Sequence, residues 1–230
     1  GLYEFNLDWS LLVSHSRQDI ESDGVFFADP NLDDLEIQRF SDDRIEDSFH
    51  NTNWTLTGRL GNLEAIYTGA YTDREAEQIV DYSDYLFVGQ YLPYYICDGY
   101  VTYPSTVPTG TCQPPNLFVN STTNTEVQSH ELRFATDPSR PLRATFGGFY
   151  SQLDLRELNN FTYPGSERAV AFNGEVGFGP NFSAQPSSAA DPGQWPEGVI
   201  FRNDVFRPDE QRGIFGEVTY DLSDQFSVLA

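Results

Sequence analysis

The sequence predicts an all-β chain, with antiparallel up-and-down strands that form part of a transmembrane β-barrel. Three observations predict it. Apolar and polar residues alternate with a period of two, the signal of strands with one apolar and one polar face. Tight turns centred near Leu7, Asn62, Ser139 and Asp224 alternate with long irregular stretches, 26–43, 82–122 and 160–204. Loops of that length are uncommon inside compact soluble domains, whereas short turns at one end and long loops at the other are the asymmetry of outer-membrane barrels. Finally, the run Leu63–Asp73 has the length of a tilted membrane strand, which needs about 9–11 residues.

In chain order, the first element is the hairpin YEFNLDWSLL from Tyr3, and its pattern returns at Tyr220 as YDLSDQFSVL. Both read as strand, tight polar turn, strand. Tyr3, Trp9, Tyr220 and Phe226 flank the two turns in equivalent places, where an aromatic girdle would sit at a membrane interface. Aromatic cross-strand pairing in a soluble sheet is the other reading. Asn31-Leu32-Asp33-Asp34-Leu35 carries the one helical expectation, a single turn capped by Asn31. Gly61-Asn62 separates the strand Trp54–Leu60 from the strand Leu63–Tyr71, in which Leu63, Ala65, Tyr67, Gly69 and Tyr71 share a face. Beyond it Asp73–Glu77 stays extended but polar on both sides, as a strand rising from a bilayer into water would be.

The run SHELRFATDPSRPLRATFGGFY, Ser129–Tyr150, is a further hairpin. Leu132 and Phe134 alternate with Glu131 and Arg133. Asp137-Pro138-Ser139-Arg140-Pro141 supplies the turn, because proline presets φ and Asp and Ser bond their own backbone. Leu142, Ala144, Phe146, Gly148 and Tyr150 then share one face. Before the last hairpin, Gly174, Gly177, Gly179, Pro180, Pro186, Pro192, Gly193 and Pro196 break regular structure.

Composition narrows the function classes. The formal charge is −22 and every basic residue is arginine. That excess excludes nucleic acid as a partner, since its binders need basic patches to displace counterions. No stretch approaches the ~18 consecutive apolar residues of a membrane helix. The N-terminus lacks a signal-peptide pattern and the chain has no methionine, as expected of a piece of a longer protein.

Ser129–Tyr150 resembles the barrel hairpin of TonB-dependent outer-membrane receptors, in which an ELR(L/F) strand leads through a short periplasmic turn into an R-x-T-x-G-x-F-Y strand. RGIFGEVTYDLSDQFSVLA, Arg212–Ala230, resembles another hairpin of the same family and is the more specific signal. The resemblance implies that residues 1–230 are part of the barrel domain, without the plug, the TonB box or the terminal strand. It implies an active transporter in the outer membrane of a Gram-negative bacterium, importing a scarce small-molecule substrate such as a ferric siderophore. The implied partners are outer-membrane lipid and the TonB complex, the latter through an N-terminal region not in this chain. It further implies that Trp9, Leu11, Val13, Leu56, Leu60, Leu132, Phe134, Phe146, Val218 and Leu222 face lipid. Arg59, Arg133, Arg143, Thr145, Glu217 and Thr219 would then line the lumen. The competing expectation is a secreted soluble β-rich binding module, calcium-dependent in one version, with its apolar faces buried between two sheets.

Catalysis and metal binding find little support. No acid pair suits a glycosidase, Ser14-His15 and Ser129-His130 lack a nucleophile-elbow context, and no cofactor motif is present, so the chain is not expected to be an enzyme. His15, His50 and His130 are far apart in sequence and read as lone polar residues rather than metal ligands. Asp29-x-Asn31-x-Asp33 begins like a calcium loop, but Asp34 replaces the required glycine and Phe40 the bidentate acid. Cys97 and Cys112 fit a disulfide closing a loop in an oxidising compartment better than two free thiols. Around them Tyr91, Tyr94, Tyr95 and Tyr100 have two compatible readings: a substrate-recognition surface, since tyrosine gives contact area at low entropic cost, or packing of the loop's own core.

Overall fold

The computed structural model describes residues 1–24, 30–83, 96–98, 100–101, 110–166, 196–223 and 225–230, with Tyr100 and Val101 described by backbone alone. Ten strands follow in order: β1 (Leu2–Glu4), β2 (Ser10–Ser22), β3 (Arg44–Leu60), β4 (Leu63–Asp81), β5 (Ile96–Cys97), β6 (Tyr100–Val101), β7 (Phe118–Thr136), β8 (Leu142–Thr162), β9 (Val199–Ser223) and β10 (Phe226–Leu229). Eight form one open antiparallel sheet in the order β1-β2-β3-β4-β7-β8-β9-β10, and β5 and β6 form a separate two-stranded ribbon. Apart from that ribbon, sequence neighbours are sheet neighbours, so the architecture is all-β and up-and-down. No α-helix occurs among the described residues.

Three of the tight connections have a local cause on view. In the first, the Asn6 side-chain oxygen accepts from the amides of Asp8 and Trp9, at 2.8 and 3.0 Å. Gly61 sits at φ +63° as the first of two central residues, the position a type II′ turn reserves for glycine. In the β7–β8 turn Asp137 Oδ1 accepts from the Ser139 amide at 2.9 Å and hydroxyl at 2.7 Å, the self-bonding expected of Asp in a turn. The long connections, 23–43, 82–117 and 163–198, all leave from the opposite end of the sheet.

Two expectations are corrected. β7 begins at Phe118, β8 ends at Thr162 and β9 begins at Val199, so the margins of the stretches 82–122 and 160–204 are paired strand. Main-chain pairing, once registered by a hairpin, continues through polar segments that show no apolar alternation. Asn31–Leu35 forms no helix: Leu35 lies at φ 69°, outside helical space, and the single bond from the Glu36 amide to the Asp33 carbonyl (3.0 Å) makes an isolated turn.

The pairing is oblique to the line of turns. Gly58, Ala65, Phe134, Phe146 and Gly216 lie in one hydrogen-bonded row across β3, β4, β7, β8 and β9. Leu60 and Leu63 close the β3–β4 hairpin two residues below that row. Ser223 and Phe226 close the β9–β10 hairpin seven residues below it. The strands are therefore staggered in one direction, as closure of a sheet into a barrel requires.

Among the described residues few side chains are buried, and their core cluster lies at the long-connection end. There Ile96, Leu117, Tyr163 and Ile200 pack together with Phe161 against them. Phe161 belongs to the row Val80, Val119, Phe161, Phe201, on the same face of the sheet as Arg59 and Glu217.

Candidate functional site

Register divides the sheet into two chemically different faces. Leu56, Leu60, Leu63, Tyr67, Leu132, Phe134, Leu142, Phe146, Ile214 and Val218 share one face and fill the half of it nearest the short turns. Most are exposed, Ile214 at 94% and Leu132 at 45%, so this is an apolar surface with no described residues packed over it. Aromatic rings fill gaps left by glycines. A Cβ on Gly69 would stand 2.4 Å from the Trp54 indole, and one on Gly58 would stand 2.2 Å from the Trp9 indole. At the upper border runs the row Val13, Trp54, Gly69, His130, Tyr150, Arg212. There Tyr67 Oη lies 2.8 Å from His130 Nδ1, and the Arg212 guanidinium stands 5.6 Å from the Tyr150 ring centre.

Above that border the same face turns acidic. Asp73, Glu126 and Asp154 stand directly opposite one another across β4, β7 and β8, and Glu21, Glu46 and Glu77 do so across β2, β3 and β4. Like charges placed opposite each other oppose pairing, so this region is held by main-chain bonds and solvated.

The second face is mostly neutral and hydrogen-bonding. Ser14, Asn53, Asn51 and Thr72 form a chain of side-chain bonds across β2, β3 and β4, with links between 2.5 and 3.1 Å. Arg59, Arg133, Arg143 and Glu217 all project from this face near the short turns, but they do not converge on one point. Arg59 stands opposite Glu64, Arg133 between Ile66 and Gly147, and Glu217 opposite Thr145. Arg143 is tied to Asp221 by two bonds of 2.6 and 2.8 Å. Higher up, Arg74 grips Asp47 at 2.6 Å, and that guanidinium holds the Asp47 carboxyl below the usual carboxylate range.

At the long-connection end two devices fix the loops. Asp81, 5% exposed, accepts from the amides of Phe40, Ser41 and Ser83, while its own amide donates to Asp43 at 2.6 Å. Burial pushes the Asp81 carboxyl up, but the hydroxyl and amide of Ser83 and the amides of Ser41 and Phe40 outweigh it, so the net shift is downward. Cys97 and Cys112 are joined by a disulfide, and beside it Gln113 Nε2 donates to the Pro164 carbonyl at 2.8 Å. This bond ties the β5–β6 ribbon to the segment after β8. Tyr91, Tyr94 and Tyr95 lie outside the described residues, as does Asp29. Tyr100 is placed by backbone alone, opposite Cys97 in the ribbon.

One part of the histidine reading is corrected: His15 and His50 are not isolated from each other in the fold. His15 and His50, 35 residues apart, are diagonal neighbours on β2 and β3 with ring centres 5.9 Å apart. No local spacing reports this, because the 21-residue connection 23–43 hides the register. No group of three or more His, Cys, Asp or Glu residues among those described is arranged to hold a metal ion. No helix among them is long and apolar enough to cross a membrane, which says nothing of a barrel. No protein-family model matches the chain, and none of the curated proteins or solved structures compared with it is significantly similar.

Proposed function

From a staggered sheet with one apolar and one polar face, we propose that residues 1–230 are part of the barrel wall of a TonB-dependent outer-membrane receptor, which imports a scarce small-molecule substrate such as a ferric siderophore. The observation that carries the reading is the coincidence of three boundaries. The short turns, the apolar half of one face and the aromatic residues Trp54, His130 and Tyr150 are stacked in that order along β3, β7 and β8. Leu142 to Tyr150 spans eight steps of β8, about 27 Å along the strand. At a tilt of about 40° that is about 21 Å of height, close to the apolar band of about 25 Å in such barrels. Acidic rows begin only above it. In this reading the apolar face meets lipid and the neutral polar face lines the lumen. The end of the sheet from which the long connections leave then faces the exterior, where substrate arrives.

The soluble-module reading requires a second layer over the apolar face, and none exists among the described residues. The test is Tyr67→Arg and Phe146→Arg in the full-length chain. Each places a cation in the apolar band at a cost of ~2–4 kcal/mol near the midplane. Loss of the heat-modifiable, membrane-inserted form is expected for both. Unchanged assembly, or a monodisperse wild-type protein without detergent, would leave the secreted binding module as the better account. Energy coupling is tested separately, by asking whether uptake of a candidate substrate stops when TonB is deleted.

A further inference from the structure

We propose that His15 and His50 form a two-histidine chelate for a borderline divalent transition metal, with Zn²⁺, Ni²⁺ or Cu²⁺ as the class of ligand. The proposal rests on placement and orientation. Both side chains stand on the same face of adjacent antiparallel strands, diagonal to each other, with rings 5.9 Å apart and inclined by 31°. His15 Nδ1 lies 2.9 Å from Thr52 Oγ1. That bond engages one ring nitrogen and leaves Nε2 for a metal, the arrangement by which outer-shell partners orient a metal-binding imidazole.

Arg17 stands directly opposite His50, but its guanidinium is bound to Asp19 two residues further up β2, Nε to Oδ2 at 2.8 Å. His50 in turn faces Asp73 on β4, and the opposed acids Glu21, Glu46 and Glu77 lie two rows above. The local field therefore favours a cation, and the two imidazole nitrogens supply the selectivity that carboxylates alone lack. With the His15 ring held by Thr52, reorientation of the half-buried His50 side chain would bring its imidazole nitrogen to an ion bound at His15 Nε2, with water completing the shell. Bound there, the ion bridges β2 to β3.

The site is independent of the import reading, and its test does not use transport. Zn²⁺ alone is titrated into the full-length protein against a chromophoric chelator, and Cu²⁺ is bound for electron paramagnetic resonance. The expected result is coupling to two imidazole nitrogens in the wild type. His15→Ala and His50→Ala should each leave one nitrogen and weaken Zn²⁺ binding at least tenfold. Thr52→Val keeps both ligands and loses only the orienting bond, so it should weaken binding by about tenfold or somewhat more. His130→Ala, far along the sheet, should change nothing. Wild-type affinity in His15→Ala or His50→Ala overturns the proposal, and so does equal loss in His130→Ala.

Discussion

Trp54 lies flat over Gly69 because glycine alone leaves room for an indole at that distance from the opposite strand. A larger residue at Gly69 must push the ring out of its groove. Gly69→Val should therefore cost about 1–3 kcal/mol, the usual range for overpacking, and shift the tryptophan emission of the folded protein. An unchanged denaturation midpoint would show that the indole has another resting place. Asp81 is the second residue whose surroundings set a measurable property. Its carboxyl pKa is depressed in the folded chain, so its contribution is present above the ordinary carboxylate pKa and is lost as pH falls through the folded value. Asp81→Asn keeps the shape and removes the charge that accepts three amides. A loss of about 2 kcal/mol, typical of hydrogen bonds to a charged group, is expected near neutral pH and should vanish in strong acid. Hydrogen exchange at Phe40, Ser41 and Ser83 would report it. Side-chain chemistry of this kind is hard to read in advance, since Asp81 and Phe40 meet across a separation of 41 residues. The pairing of His15 with His50 was hidden for the same reason.

Among the elements, hairpins were legible and their far ends were not. Gly61-Asn62 and Asp137–Pro141 announce their turns through residues that only turns require, and the alternation beside each fixes which side chains share a face. The tract Val119–Glu126 carries Thr, Asn and Ser in place of alternating apolar residues, so its place in β7 comes from pairing with β4 and β8. The β5–β6 ribbon is held differently, by the Cys97–Cys112 disulfide, which ties β5 to the segment after β6. Closing a loop of that length stabilises by roughly 3 kcal/mol on chain-entropy accounting, and the ribbon shares Ile96 with the small core. Cys97→Ser with Cys112→Ser should accelerate proteolysis between residues 98 and 111 while leaving the cross-strand pairs of β3, β4, β7 and β8 protected. Simultaneous loss of protection in those strands would mean that the ribbon supports the whole sheet.

Seen whole, the described sheet separates its charge from its apolar surface by height on one face, and mixes neutral hydrogen-bonding groups with charges on the other. That distribution was partly visible as alternation, but only the register shows the acids stacked opposite one another above the aromatic row. It also makes the outward insertion depth predictable, since lowering Asp73, Glu126 or Asp154 into an apolar layer is far costlier than lowering Tyr67 or Leu132. The stagger of the strands carries a geometric consequence. From the tip of the β3–β4 hairpin to that of the β9–β10 hairpin the chain drops five residues, about 17 Å, across four interstrand spacings, about 19 Å. The ratio gives an angle of about 40° between the strands and the normal to the line of turns. Polarised infrared absorption of oriented bilayers reads that angle directly from the amide dichroism of the assembled protein. A value near 40° would mean that the obliquity built into eight strands persists around the entire circumference.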